Sequence, residues 1–158
     1  MSGMLRRSMK VARPIADVFD FFGDASNLER ITPPELHFEI LTSLPIRMGE
    51  GTTIDYRLRL WGMPVTWRTL ISRWDPPHVF VDEQVRGPYR IWIHTHRFVP
   101  DEGDASSTWI HDEVRYRLPL DPLSRIALPV IRRQLDRIFD YRGLVTSREF
   151  ETGSSPRP

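Results

Sequence analysis

Hydrophobic and polar residues alternate with a period of two through the middle of the chain, which predicts antiparallel β-strands. The clearest alternation lies between Thr52 and Trp61, where four apolar residues alternate with threonine, aspartate and arginine. One face of this strand is therefore apolar and the other is polar. The same period predicts further strands at Met4–Arg13, His37–Leu44, Val65–Trp74 and Ser106–Leu118.

Two more strands belong to a hairpin that the sequence predicts between Phe80 and Phe98. Their β-branched and aromatic runs flank Arg86-Gly87-Pro88-Tyr89, which has the composition of a turn. Alternate side chains of a strand share a face. The two shared faces hold Phe80, Asp82 and Gln84 on the first strand and Trp92, His94, His96 and Phe98 on the second. Large aromatic residues mixed with histidine and carboxylate are typical of the wall of a ligand cavity.

A spacing of three to four replaces the period of two after Pro14. Apolar residues on one face between Ile15 and Phe22 predict a short helix that ends at Gly23. A second short helix is predicted at Ser26–Ile31, because Ser26 can cap it. Two consecutive prolines, Pro33 and Pro34, then exclude further helix.

The C-terminal part predicts a long helix. Asp121 and Pro122 fit an N-cap and a first helical residue, and apolar residues recur every three or four positions from Leu123 to Val145. Pro129 lies inside this run, so we expect either a kink there or a short helix followed by a long one. From Val130 to Phe150 the helix would be about 30 Å long, enough to cross a sheet.

The predicted order is one strand, two short helices, six strands and a long terminal helix. Antiparallel strands with helices segregated to one side indicate the α+β class. A twisted seven-stranded sheet can curl around a long helix and leave a concave pocket between them. We therefore expect a single domain at residues 1–150, followed by a disordered tail at residues 151–158.

Composition and charge exclude several classes of function. The 158 residues contain no cysteine, which excludes disulfides, thiolate catalysis and cysteine-based zinc sites. The 22 basic and 21 acidic residues are interspersed, so the chain lacks the basic footprint of a nucleic-acid-binding protein and no nucleic-acid partner is expected. No segment is apolar for long enough to be a secretory signal or a membrane span. We expect a cytoplasmic protein without integral membrane association.

Three separated segments carry a family resemblance. They are Gly87-Pro88 with Trp92, His94, His96 and Phe98; Asp112, Val114 and Tyr116 with Leu118-Pro119; and Ile138-Phe139 with Tyr141-Arg142. Through them, residues 4–150 resemble the START-like (SRPBCC) ligand-binding superfamily, and within it the bacterial branch described as polyketide cyclase/dehydrase. The resemblance implies the helix-grip fold, with a deep cavity between the sheet and the C-terminal helix. It does not imply a reaction, because relatives include carriers, receptors, cyclases and chaperone activators.

The resemblance also indicates which residues face the cavity. Periodicity alone leaves this open, because Ile91 and Ile93 lie on the opposite face of the strand that carries Trp92 and His94. The resemblance favours the face with the histidines. The ligand-binding residues are then Tyr56, Leu58, Trp67, Phe80, Gln84, Trp92, His94, His96, Phe98, Asp112, Tyr116 and Ile138.

His94 and His96 point in the same direction and fit three interpretations. With Asp82 or Asp112 as a third ligand they can bind a metal, but their spacing lacks the specificity of a zinc motif, and we expect no metal and no cofactor. A histidine beside a buried carboxylate can also exchange a proton near neutral pH. Alternatively, these polar residues only satisfy one another's hydrogen bonds.

Three functional hypotheses result. The first is binding of an apolar or amphipathic small molecule of lipid, polyketide or aromatic type. The second is a cofactor-free polyketide cyclase or dehydratase that uses His94 or His96 with Asp112. The third, a protein-interaction module similar to the chaperone activators, has no sequence feature of its own. The oligomeric state is left open.

Overall fold

The computed structural model describes residues 2–119 and 124–152 of the chain. The predicted order of elements is confirmed. The elements are β1 (Ser2–Val11), α1 (Ile15–Gly23), two 3₁₀ turns (Ala25–Asn27 and Pro34–Leu36), β2 (Glu39–Ile40), β3 (Thr53–Leu60), β4 (Met63–Asp75), β5 (Val79–Arg86), β6 (Ile91–Pro100), β7 (Thr108–Arg117) and α2 (Ser124–Thr152).

The seven strands form one antiparallel sheet in the order β1-β7-β6-β5-β4-β3-β2. Strands β2 to β7 pair with their neighbours in sequence, and β1 returns to pair with β7 along its whole length. The sheet curves around α2, which is the helix-grip arrangement. The α+β class predicted from the sequence is therefore confirmed.

The second predicted short helix, at Ser26–Ile31, forms only as the shorter 3₁₀ turn Ala25–Asn27. Side chains compete with the helical hydrogen bonds in this segment. The Asp24 carboxylate accepts hydrogen bonds from the Ser26 backbone and hydroxyl, and the Asn27 amide donates to the Phe21 carbonyl. The segment remains irregular and supplies apolar side chains to the interior.

Strand β2 is much shorter than the predicted strand at His37–Leu44. Two local features end its pairing with β3. His37 has a positive φ of 45° at the start of the segment. At the other end, the Thr42 hydroxyl accepts the hydrogen bond from the Asp55 backbone N–H that a strand carbonyl would otherwise accept. This edge strand therefore covers little of the sheet.

Helix α2 continues through Pro129, so the alternative of a short helix followed by a separate long one does not form. Pro129 lies in the second turn, where it removes one backbone hydrogen bond of the helix without ending it. The helix also extends through Thr152, so residues 151 and 152 of the tail expected at residues 151–158 are helical. Asp121 and Pro122, and residues 153–158, lie outside the described residues. In the part of the chain that the structure describes, no helix combines the length and the apolar character needed to cross a bilayer.

Two helices cover the inner face of the sheet. Phe19 of α1 packs edge-on against Phe80 and Phe98, with ring centroids 5.8 and 5.6 Å apart. Further along, Leu135 and Phe139 of α2 pack in the cluster that contains the buried ring of Tyr116. The space between these two packed regions holds the candidate site.

Candidate functional site

A cavity of about 160 Å³ lies between the inner face of the sheet and α2. This is roughly ten times the volume, about 15 Å³, that a single water needs on the same measure. Side chains of β3, β4, β5 and β6 form one wall, and Leu135, Ile138 and Phe139 of α2 form the other. Leu28 and Leu36, from the segment between α1 and β2, close one end.

Eight of the twelve residues named from the sequence line this cavity. They are Tyr56, Leu58, Trp67, Phe80, Trp92, His94, His96 and Ile138. His94 and His96 are 4% and 2% exposed, so the face of β6 that carries them points inward.

The other four named residues lie beside the cavity. Phe98 packs with α1, and Tyr116 is 2% exposed in the core below α2. Gln84 hydrogen-bonds in both directions with the Tyr89 backbone and so fixes the turn that places the Tyr89 ring in the cavity. Asp112 lies behind the histidines, in a separate cleft between β1, β7 and α2. The inner sheet face is longer than the cavity, which is why side chains of this face extend beyond it.

Several lining residues were missed as ligand contacts. The sequence places Asp82 on the face of the cavity wall but not among the ligand-binding residues, and Arg142 enters only through the resemblance, yet both line the cavity. Thr69 shares the inward face with Trp67, so the period of two could have identified it. Leu28 and Leu36 lie in irregular backbone, where no periodicity indicates direction.

His94, His96, Asp82 and Asp112 form a compact cluster on the inner face of β5, β6 and β7. His94 Nε2 lies 2.8 Å from Asp112 Oδ1, and His96 Nε2 lies 2.7 Å from Asp82 Oδ2. The second ring nitrogens complete the square: His94 Nδ1 is 3.5 Å from Asp82 Oδ2, and His96 Nδ1 is 3.2 Å from Asp112 Oδ1. The two imidazole centroids are 3.7 Å apart. Each imidazole therefore lies between both carboxylates.

Burial and neighbouring charges shift the pKa values of this cluster in opposing directions. Burial raises the pKa of Asp112, but the charge of Arg142 and hydrogen bonds from both histidines outweigh it and hold the pKa well below its ordinary value. Burial also raises the pKa of Asp82. The neighbouring positive charges and the hydrogen bond from His96 outweigh burial, so the pKa of Asp82 is lowered. Burial and the adjacent His96 lower the pKa of His94. Ionised carboxylates and a neutral His94 are the favoured forms.

Arg142 of α2 places a positive charge beside the cluster. Its guanidinium carbon lies 5.1 Å from the ring centroid of Phe22 and 5.9 Å from that of Phe139. Both distances fit cation–π contacts. Arg142 Nη2 is 3.5 Å from His96 Nδ1, which is at the outer limit of a hydrogen bond. The contacts that hold the arginine are thus mainly with aromatic rings.

Tyr56 brings a neutral hydroxyl to the same region of the cavity. Its oxygen lies 3.1 Å from Thr69 Oγ1. Burial, together with the negative charge of Asp82, raises the pKa of Tyr56 far above its usual range. The phenol therefore stays protonated and can act as a hydrogen-bond donor to a bound molecule.

Trp67 is the centre of an aromatic wall of the cavity. Its ring stacks on Tyr56 with centroids 5.9 Å apart and meets Trp92 edge-on at 5.2 Å. The indole Nε1 of Trp67 is buried and has no hydrogen-bond partner among the described residues. Because an unpaired buried donor costs free energy, this N–H is suited to an acceptor atom supplied by a ligand.

Solved structures with low sequence identity share this fold over almost the whole chain. A START superfamily protein from Mycobacterium smegmatis matches with a TM-score of 0.70 and 12% identity, over 96% of this chain and 99% of that chain. Norcoclaurine synthase from Thalictrum flavum, in complex with dopamine and hydroxybenzaldehyde, matches with 0.67 and 17%, over 99% and 90%. The Zhui aromatase/cyclase from Streptomyces sp. R1128 matches with 0.67 and 17%, over 98% and 100%. The chain therefore has the START-like helix-grip fold.

Comparisons of sequence do not assign the chain to a family within this fold. No family model matches the chain, and no curated protein is similar to it.

Proposed function

We propose that this protein binds an apolar or amphipathic small molecule of aromatic type in the cavity between the sheet and α2. The observation that carries the proposal is the cavity itself, with a volume of about 160 Å³ and a predominantly aliphatic and aromatic lining. Concave, mostly apolar sites with a few convergent polar groups are the usual form of small-molecule sites. Burial of an aromatic ring against this lining would supply most of the binding free energy.

The polar groups of the cavity define where a ligand needs polar atoms. Trp67 Nε1 offers a donor on the aromatic wall, where no described residue accepts from it. Asp82 and Arg142 offer an acceptor and donors at other positions of the lining, on β5 and α2. A ligand with an apolar body and polar atoms at both ends fits this arrangement. A purely aliphatic chain would leave the indole N–H unpaired.

The similar structures support a ligand of this kind. One of them was solved with dopamine and hydroxybenzaldehyde, which are both aromatic molecules with polar substituents. Another is an aromatase/cyclase. Identities of 17% support the fold and leave the ligand of this chain as a proposal.

A native mass spectrum of gently purified protein, repeated after denaturation, tests the proposal. We expect an additional mass in the native spectrum that disappears on unfolding. Titration with N-phenyl-1-naphthylamine, an apolar fluorescent amine, provides a second measurement that does not depend on a retained ligand. Absence of both a retained mass and probe fluorescence would contradict the proposal.

A pair of variants on β3 shows whether the probe enters this cavity. Leu58 points into the cavity and Arg59 points to solvent, and they are adjacent in sequence. Leu58→Trp fills the cavity and should weaken probe binding at least tenfold. Arg59→Trp adds the same side chain outside and should leave binding unchanged. Equal effects of the two substitutions would place the probe elsewhere.

Acid–base catalysis on the bound molecule is a second candidate function, favoured by the position of the histidine–aspartate cluster at the cavity wall. The sequence suggested Asp112 as the partner of the histidines. Asp82, however, lines the cavity and Asp112 lies behind it, so His96 with Asp82 is the better-placed acid–base pair. Geometry decides this assignment before pKa does.

Replacement of both histidines separates binding from catalysis. A double variant, His94→Leu with His96→Leu, should keep binding N-phenyl-1-naphthylamine if the protein is only a carrier or an enzyme with an intact cavity. With the molecule released from the native complex as substrate, an enzyme loses turnover in this variant, and a carrier shows none in either form.

A further inference from the structure

The four ring nitrogens of His94 and His96 divide into two pairs, one facing each aspartate. His94 Nε2 and His96 Nδ1 both face Asp112 Oδ1, at 2.8 and 3.2 Å. His94 Nδ1 and His96 Nε2 both face Asp82 Oδ2, at 3.5 and 2.7 Å. A single oxygen of each carboxylate thus receives one nitrogen from each ring.

A metal site requires one particular tautomer of each ring. Without a metal, the ionised Asp82 can only accept at the 2.7 Å contact with His96 Nε2, so metal binding would move the His96 proton from Nε2 to Nδ1. A neutral imidazole has one N–H and one lone pair. If both rings direct their N–H groups at Asp112 Oδ1, both lone pairs are directed at Asp82 Oδ2. Three electron-rich atoms then converge from one side: His94 Nδ1, His96 Nε2 and Asp82 Oδ2.

We propose that His94 Nδ1, His96 Nε2 and Asp82 Oδ2 form a binding site for a divalent transition-metal cation, with Asp112 as the carboxylate that orients both histidines. One ligand atom from each of the three residues lies within 4.8 Å of the other two. Metal-bound histidines usually donate their other N–H to a carboxylate or carbonyl, which fixes the ring and raises its basicity. Asp112 is placed to accept such a hydrogen bond from each of the two rings.

The distances suit a four-coordinate ion. Metal–ligand bonds of about 2.0–2.1 Å in tetrahedral geometry place neighbouring ligand atoms roughly 3.3 Å apart. The Asp82 oxygen lies 3.5 Å from His94 Nδ1 and 2.7 Å from His96 Nε2, which bracket this value. Metal binding would therefore require the His96–Asp82 pair to separate by about 0.6 Å.

The fourth position of such an ion faces the cavity. Asp82, His94 and His96 all line the cavity, and Asp112 does not. Three protein ligands with one open position distinguish metal sites that bind an additional molecule from closed structural sites. An oxygen atom of a bound molecule, or a water, would complete the coordination. The metal site is thus a function in addition to the small-molecule binding proposed above, and it does not depend on that binding.

The chemistry of the ligand atoms restricts the metal. Two imidazoles and one carboxylate suit zinc and the neighbouring first-row divalent ions, whereas magnesium and calcium require mainly oxygen ligands. Arg142 lines the same cavity and opposes a cation electrostatically. Its Nη2 lies 3.5 Å from His96 Nδ1, so it would have to turn away when that nitrogen carries the proton. The two aspartates offset the charge of a divalent ion, and the charge of Arg142 remains uncompensated within this cluster.

Isothermal titration of the full chain with Zn²⁺, after treatment with EDTA and dialysis, tests the site. We expect one tight site per chain. Titration with Co²⁺ should give the intense visible bands of four-coordinate cobalt, which an adventitious six-coordinate surface site does not produce. Magnesium should not compete.

Variants connect the ion to these residues. Asp82→Asn and His96→Gln should abolish the tight site, and circular dichroism shows whether each variant is folded. Asp112→Asn retains the three ligands and should weaken Zn²⁺ binding by about 10–100-fold without changing the stoichiometry. His111→Gln is the matched control, because His111 lies outward on β7 with its Nδ1 2.8 Å from Ser8 Oγ, and it should leave the tight site unchanged.

Three results would overturn the proposal: no Zn²⁺ binding by the wild-type chain, a tight site that survives both Asp82→Asn and His96→Gln, or cobalt bands that disappear in His111→Gln. If N-phenyl-1-naphthylamine binds and Zn²⁺ does not, the proposed small-molecule function stands and the metal site fails. If Zn²⁺ binds and the naphthylamine does not, the reverse holds.

Discussion

His96 contacts Asp82 diagonally across the β5–β6 pair, although the residue directly opposite Asp82 is His94. The same diagonal recurs on the other side. Asp112 lies directly opposite His96 on β7, yet its shorter contact, 2.8 Å, is to His94. Each carboxylate is therefore shared between two histidines on three adjacent strands, and loss of any one member leaves the others buried without full pairing.

Asp112→Asn should destabilise the fold. The change removes a buried charge that receives hydrogen bonds from two histidines, and hydrogen bonds to charged groups contribute about 1.5–3 kcal/mol. We expect a loss of about that size in the free energy of unfolding, measured by urea denaturation with EDTA present. Glu113→Gln is the control on the opposite face of β7, where Glu113 pairs with exposed Arg6, and should change stability by less than about 1 kcal/mol. Similar losses for the two variants would contradict the role assigned to the cluster.

Arg142→Met should raise the pKa of Asp112. The Arg142 charge is the strongest influence that lowers this pKa against the effect of burial, and methionine keeps the apolar stem without the charge. Carboxyl carbon chemical shifts followed by NMR during an acid titration measure the change. Arg133→Met, at an exposed position on the same helix, should leave the Asp112 titration as in the wild type. An unchanged Asp112 titration in Arg142→Met would show that the histidines alone keep Asp112 ionised.

Thr146→Val should stabilise the protein. Thr146 is fully buried in α2, and its hydroxyl has no hydrogen-bond partner in the described part of the chain. Replacing an unpaired buried hydroxyl by a methyl group removes a desolvation cost, and the helix propensities of the two residues are similar. We expect a gain of about 1 kcal/mol in thermal or urea unfolding.

Thr69→Val provides the opposite case. Thr69 is 4% exposed, but its hydroxyl pairs with the Tyr56 hydroxyl. The same substitution there should destabilise by about 1 kcal/mol. Equal signs for Thr146→Val and Thr69→Val would mean that hydrogen bonding does not decide the outcome.

Trp61→Asn should also stabilise the fold. Trp61 and Gly62 form the tip of the β3–β4 hairpin with φ values of 51° and 78°, a conformation for which Asn-Gly is strongly preferred. Trp61 is 55% exposed, so little buried area is lost. We expect a gain of about 1 kcal/mol, because a residue other than glycine or asparagine pays about this cost in the left-handed region. Trp61→Ala removes the same ring without relieving the backbone and should not give the gain.

Asp104 should make stability depend on acid pH. Hydrogen bonds from Ser106 and Ser107 lower its pKa to about 2 from the ordinary 3.8. A depressed pKa in the folded state stabilises above the unfolded pKa, and the contribution is lost as pH falls from about 4 through about 2. Asp104→Asn should therefore be less stable than the wild type at pH 7, with the difference decreasing toward pH 2. A deficit that is constant over this range would exclude the charge as its cause, and Glu102→Gln in the same loop is the control.

The sequence predicts the strands well where one face of the sheet is exposed to solvent. In β3 and β7, alternation identifies the inward residues, including Ile110, Asp112 and Val114. The short β2 could not be predicted, because the Thr42 hydroxyl replaces a backbone acceptor and no pattern of apolar residues records that. The irregular segment between α1 and β2 escapes for a similar reason: local side-chain bonds determine its shape.

The candidate site was predictable by residue type but not by contact. Alternation and the family resemblance together place His94 and His96 on the inner face. Which nitrogen faces which carboxylate depends on the register of three strands and on side-chain rotamers, and sequence spacing carries neither. Arg142 reaches the cluster from a distant helix, so only the folded chain brings it there.

The diagonal contacts have a consequence for how the three central strands align. Apolar periodicity forbids a slip of one residue, because that would turn the inner face outward, but it tolerates a slip of two. A slip of two residues between β5 and β6 would bring Asp82 opposite Trp92 or His96 instead of His94. The contacts among the two histidines and two aspartates would then be lost, and buried charges would remain unpaired. The polar cluster thus specifies the register of the three strands. It selects one of several alignments that bury the same hydrophobic face.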